Sequence, residues 1–228
     1  MDKHCLTTAR WQFALLIGAA LLWGNTVRAE TLDLALGLQT GDIELAIDDQ
    51  RTTLKLDGVA LRYGEVIDAP IRLDLLLGRT WGSLKNDAPT TGTSLQGYYA
   101  GLDFYITLFE TRPINVSAGA RYRYHDLDSG NVNREVSLTF SETAARVWLS
   151  LRPMPHWTLY GGMAYAAIDG ERLVTGDIDD GADVTEYESN NRFGGAVIDL
   201  QASGYVRLEI HSGNGHGGAV FFGQRFQL

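Results

Sequence analysis

Three groups of residues in this sequence have side chains that could do chemistry. The first is Glu209-Ile210-His211-Ser212, an acid, an imidazole and a hydroxyl in one short run. An acid-oriented histidine that takes a proton from a serine is the arrangement of nucleophilic acyl transfer, and it needs base and nucleophile about 2.6–3.2 Å apart. Successive side chains of an extended strand point to opposite faces, so His211 and Ser212 meet only if the chain bends, for which Gly213 gives room. Glu209 and His211 also fit a bland role as interior polar residues beside Arg207.

The second group is acidic: Asp177, Asp179, Asp180 and Asp183 supply the hard oxygen ligands that Ca²⁺ takes. They lack the Asp-x-Asp-x-Asp-Gly order and the closing Glu of an EF-hand, and acid-rich loops are ordinarily just solvated. No cofactor and no dedicated metal centre is expected. The third group consists of charges that recur at every second position of apolar segments: Arg62, Arg72, Arg121, Arg123, Arg146, Arg207 and Arg225 with Asp33, Asp74, Asp103, Asp199 and Glu209. Near balance between the signs predicts a charge network in which forked guanidinium groups hold carboxylates and fill an enclosed space.

The elements that must position these groups alternate with a period of two, the signature of half-buried strands. Leu32, Leu34, Leu36 and Leu38 alternate with Asp33, Ala35, Gly37 and Gln39, and Ile114, Val116, Ala118, Ala120, Tyr122 and Tyr124 alternate with Asn115, Ser117, Gly119, Arg121, Arg123 and His125. Similar runs occupy 54–63, 71–78, 98–106, 136–151, 157–165, 196–200, 205–211 and 219–228. After Gly41 and again at Gly58 the apolar phase slips by one, which predicts bulges or kinks in a tall first hairpin that protrudes. The connections 64–70, 110–113, 152–156 and 201–204 are short; the others are mostly long and polar, and 169–191 is expected as the longest and most acidic loop. No stretch after the N-terminal one approaches the roughly 20 apolar residues of a membrane helix.

At 228 residues, with apolar residues at 45% and charged at 21%, the chain suits one folded domain. Residues 1–29 differ from the rest. Lys3 and Arg10 precede an apolar run from Phe13 to Trp23, and Val27-Arg28-Ala29 resembles a cleavage site, so a signal peptide is expected to be cut before Glu30. Its removal takes three of 19 basic and one of 28 acidic residues, leaving 16 against 27, a net charge of −11. That balance argues against a nucleic-acid partner. Cys5 leaves with the leader, so the mature chain has no thiol.

The last strand carries Val220, Phe222, Phe226 and Leu228 on one face and Gly223, Arg225 and Gln227 on the other. It resembles the closing strand of bacterial outer-membrane β-barrels, in which Phe222, Phe226 and Leu228 would form the assembly signal, although that family usually ends on an aromatic residue. The alternation of short and long connections is similar to the same family, of the OmpA and OmpX kind. The resemblance implies an all-β, antiparallel up-and-down transmembrane barrel over residues 30–228. Ten strands are expected, eight being the alternative, with short periplasmic turns and with girdle aromatics such as Tyr63, Trp157, Tyr98 and Tyr165. It implies outer-membrane lipid, lipopolysaccharide and the barrel assembly machinery as partners, and a surface protein reached through the loops or exposed strand edges. An exported β-sandwich or lipocalin-like barrel is the soluble alternative.

Three functions remain open. The leading expectation is a non-enzymatic structural or surface-interaction barrel with a filled interior. The second is a lipid-modifying enzyme similar to lipid A deacylases, whose His and Ser lie two residues apart on one face, unlike His211 and Ser212. The third is a narrow, porin-like passive channel. Omptin-type proteases share the strand number, but no motif matches and their sites are not carried over.

Overall fold

The computed structural model describes residues 31–227 except 69, 87–89, 91, 92, 130–133, 177 and 178. The expected signal peptide, residues 1–29, lies outside the described residues, as do Asp177 and Leu228. The strands are β1 (Thr31–Ile47), β2 (Gln50–Asp68), β3 (Ile71–Lys85), β4 (Ser94–Thr111), β5 (Ile114–Asp128) and β6 (Arg134–Met154). They continue with β7 (Trp157–Gly176), β8 (Asp180–Glu186), β9 (Asn190–Asp199), β10 (Gly204–Gly213) and β11 (Gly215–Gln227).

The sheet closes on itself twice. In the lower part β1 to β7 are followed by β9, β10 and β11, and β11 returns to β1, which makes an antiparallel barrel of ten strands. In the upper part β8 takes over, pairing with Asp169–Val174 of β7 and with Leu45–Ile47 of β1, so eight strands form a narrower ring. Strand lengths explain the change. β1, β6 and β7 run for 17, 21 and 20 residues, whereas β9, β10 and β11 stop after 10, 10 and 13, so only one side of the barrel is tall enough to build the upper tier.

Two expectations need correction here. The segment expected as a long acidic loop over 169–191 is mostly strand: β7 continues to Gly176 and β8 adds its own hairpin. Ala182 and Val184 are buried while their neighbours face out, a short alternation that yields stability only because β1 and β7 flank it. The slips at Gly41 and Gly58 are not bulges. β1 and β2 pair without interruption from Thr31 with Val66 to Ile47 with Gln50, and the register shifts of the barrel fall instead near the short turns, at Val66/Asp68, Thr107/Phe109 and Leu151/Met154.

What changes at these glycines is the face of the wall that is apolar. Odd residues of β1 point inward along its whole length: Asp33 and Ala35 low in the strand, Leu45 and Ile47 high. Below Gly41 the apolar side chains are the outward ones, with Leu36 63% exposed; above it they are the inward ones, with Leu45 at 0%. β2, β6 and β7 switch in the same way, since Leu61, Val147 and Met163 are exposed low down while Leu54, Phe140 and Ile168 are buried higher up. Leu45, Leu54, Leu84, Leu95, Leu127, Leu138, Phe140 and Val184 belong to one apolar core that fills the upper tier. Below it, an outward apolar belt runs from Leu32 to Thr40 on β1, about the 9–11 residues that a tilted strand needs to cross a bilayer.

The first hairpin turns at Asp48 and Asp49, both at positive φ (50° and 64°), the pair of left-handed residues that a two-residue hairpin turn takes. It does not protrude with a free edge, because β8 covers the top of β1.

Candidate functional site

The inward face of the ten-stranded tier brings the recurring charges together in three levels. At the base, Asp74 is fully buried and accepts hydrogen bonds from Arg62 Nε at 3.0 Å and from Arg72 Nε at 2.8 Å, on different oxygens. Arg72 also pairs with Asp33. Arg225 reaches Asp33 at 3.6 Å and Asp199 at 2.6 Å, so the chain of alternating charges crosses β9, β11, β1, β3 and β2.

The middle level centres on Glu209. Arg207 reaches its carboxylate at 2.8 Å, Arg146 at 3.5 Å and Arg121 at 3.8 Å, and the Tyr160 hydroxyl donates to it at 3.1 Å. Arg121 Nε donates to Asp103 at 3.0 Å, and Tyr105 donates to the other oxygen of Asp103 at 2.9 Å. Arginine suits this place because its planar fork can satisfy two carboxylates at once. Arg62, Tyr105, Arg146, Phe193 and Arg207 line both a lower cavity of about 190 Å³ and an upper one of about 150 Å³, and so form the partition between them.

The upper cavity holds Arg123, His125, Glu142 and His211. Arg123 faces Glu142 across β5 and β6. His125 is stacked between Phe140 (ring centres 4.5 Å apart) and Tyr99 (5.5 Å). Inward glycines make these rings fit. A β-carbon at Gly78 would overlap the Tyr99 ring, and one at Gly223 would overlap Tyr205.

The structure does not bring His211 and Ser212 together. His211 faces inward, opposite Phe193 and Gly217; Ser212 faces outward, opposite Arg192 and His216. Glu209 is held among arginines rather than beside Ser212. The register places a different histidine next to the serine. Ser212 of β10 is level with His216 of β11, and His216 is level with Asp42 of β1, whose carboxylate lies 3.6 Å from His216 Nε2. Sequence reasoning missed His216 and Asp42. The signal was the hairpin pattern Gly213-Asn214-Gly215, which folds residues 212 and 216 into opposition. These three side chains sit one step above Ile210, which is 69% exposed, at the upper edge of the apolar belt.

Among the acidic candidates, Asp180 pairs with Arg172, Asp179 accepts a hydrogen bond from the Gly176 amide at 3.3 Å, and Asp183 lies opposite Glu171. Among the described residues no group of three metal-ligating side chains converges. On the outer surface of the upper tier Arg51 donates to Glu44 at 2.9 Å, which raises the arginine further above its ordinary pKa. The Lys85 ammonium is held below the usual lysine value by its like-charged neighbour Lys55. Phe222 and Phe226 of the closing strand face outward and are exposed.

No protein-family model matches the sequence, and no curated protein sequence matches it. Solved structures match the fold. The translocator domain of the autotransporter NalP from Neisseria meningitidis is similar with a TM-score of 0.52 and 11% identity, over 96% of each chain. The outer-membrane protease OmpT from Escherichia coli is similar with a TM-score of 0.53 and 11% identity, over 89% of this chain and 98% of that one. At such identities the likeness concerns architecture alone. The chain has the fold of the small bacterial outer-membrane β-barrels.

Proposed function

We propose that the protein is exported, inserted in the bacterial outer membrane, and serves there as a non-conducting structural or surface-interaction barrel whose upper tier faces outward. The observation that carries this reading is the closure of the interior by a charged partition with an apolar core above it. A conducting pore needs a continuous wet path, whereas here the Glu209–arginine cluster and then Leu45, Leu54 and Leu138 lie across the axis. The top of β1 is covered by β8, so a partner would meet side chains and hairpin tips rather than add a strand to that edge. Planar-bilayer recordings test the reading: the folded barrel, identified by its heat-modifiable gel migration, should give no conductance steps. Regular steps would make it a channel instead.

A second reading rests on Ser212, His216 and Asp42. Acid, imidazole and hydroxyl stand side by side on the outward face at the level where lipid headgroups and the first ester bonds would lie. With Asp42 on Nε2, His216 has Nδ1 left to take the Ser212 proton, and opposed side chains in adjacent strands are about 4.5–5.5 Å apart at Cβ. Ser212 Oγ would attack an acyl carbonyl, the proton would return to the departing alcohol, and water would then release the fatty acid. Mass spectra of lipid A from cells overproducing the protein or its Ser212→Ala variant decide this: an acyl chain lost only with the unsubstituted protein supports hydrolysis, and identical spectra remove it.

A further inference from the structure

We propose that the upper cavity of the barrel is a binding site for a small organic carboxylate. Four buried donor or acceptor atoms on residues that line it have no hydrogen-bond partner: Arg123 Nε, Arg146 Nε and both ring nitrogens of His125. Buried polar atoms are almost always paired in native proteins, so several orphans on residues around one cavity point to a molecule that pairs with them once the side chains turn towards it. His125 cannot swing away to solvent. It is 4% exposed and lies flat between Phe140 and Tyr99.

Charge gives the sign of the ligand. Of the charged side chains around the cavity, Arg62 is held by Asp74, and Asp42 and Arg192 belong to the outward face; those left are Arg121, Arg123, Arg146 and Arg207 against Asp103, Glu142 and Glu209, one more cation than anions. Arg121 is engaged by Asp103 and Arg207 by Glu209, which leaves Arg123 and Arg146 as the groups with unused donors. An incoming carboxylate would balance the count and accept from both.

The rest of the wall gives the ligand's body. Leu56, Ala164, Ala166, Ile168 and Phe193 face the same space, and inorganic oxyanions gain nothing from apolar contact. The volume is about 150 Å³, comparable to cavities of roughly that size that take a benzene ring. Entry is at the step in the wall. β1 exchanges β11 for β8 between Ile43, opposite Gly215, and Leu45, opposite Glu186. There His211, though inward-facing, is exposed to solvent.

Isothermal titration of the barrel refolded in detergent micelles tests the site with benzoate, benzamide and inorganic phosphate as probes. Saturable benzoate binding is expected, at least tenfold tighter than benzamide, with no displacement by equal phosphate. Arg123→Gln should weaken benzoate at least tenfold, and Ala164→Leu, which fills the wall opposite Arg146 without removing a charge, should abolish it. Absence of saturable benzoate binding would overturn the proposal and leave water as the partner of the orphaned atoms. Equal affinity for benzamide, or displacement by phosphate, would overturn the ligand class. Should Arg123→Gln not fold, as judged by heat-modifiable migration, unchanged benzoate binding in Ala164→Leu overturns the site.

Discussion

The guanidinium carbon of Arg146 lies 3.8 Å from the centre of the Phe193 ring, and the same cation reaches Glu209 at 3.5 Å. A cation over an aromatic face gains most where water is excluded. This pair therefore anchors the partition from β6 to β9, across the interior of the barrel. Arg146→Ala together with Phe193→Ala is expected to join the two cavities and, through the step in the wall below the apolar core, to produce small conductance steps in planar bilayers where the unsubstituted barrel gives none. Silent recordings from a folded double variant would move the block to the apolar core above.

Asp74 has no exposed surface and holds two arginines. Replacing it with asparagine keeps the shape but leaves Arg62, itself buried, without its counter-charge. Breaking such a pair costs about 3–5 kcal/mol, whereas removing both partners together is often nearly neutral. Urea unfolding in lipid vesicles should show a large loss of stability for Asp74→Asn and a much smaller one for Asp74→Leu combined with Arg62→Leu. Equal losses would mean that the pair is not the source.

The upper tier depends on its own apolar core, so its stability should separate from that of the belt. Leu138→Ala removes a fully buried side chain and is expected to cost about 2–5 kcal/mol there. Limited proteolysis of the folded variant should cut the upper parts of β6 to β8, while the membrane-level barrel keeps its heat-modifiable migration. Loss of both together would show a single cooperative unit.

Gly78 and Tyr99 share one volume across β3 and β4. A methyl group at Gly78 forces the ring aside, and overpacking of this kind costs about 1–3 kcal/mol. Gly78→Ala should destabilise the barrel in urea, and Tyr99→Leu in the same chain should return part of the loss. Additive effects of the two changes would rule out the shared volume.

Legibility differed from one element to the next. β5 could be read directly, because Ile114 to Tyr124 alternates without a break and each residue's face follows from its number alone. β8 could not, since Gly181-Ala182-Asp183-Val184 is too short and too acidic to signal a strand, and its two apolar residues find a core only between β1 and β7. The slips at Gly41 and Gly58 were visible as changes of phase. Their meaning was not, because a residue pattern records which face is apolar and not which medium lies outside it.

The sequence by itself determined the period of two and the set of charges opposite the apolar faces, and it favoured ten strands over eight. These are local properties, set by the alternation of side chains along each strand. Tertiary structure alone decided the rest: which arginine meets which carboxylate, that the wall narrows from ten strands to eight, and that Ser212 lies beside His216 and Asp42 instead of His211. Each of these depends on the register between strands distant in sequence. Register is fixed only when the whole sheet closes and every inward side chain has to find room.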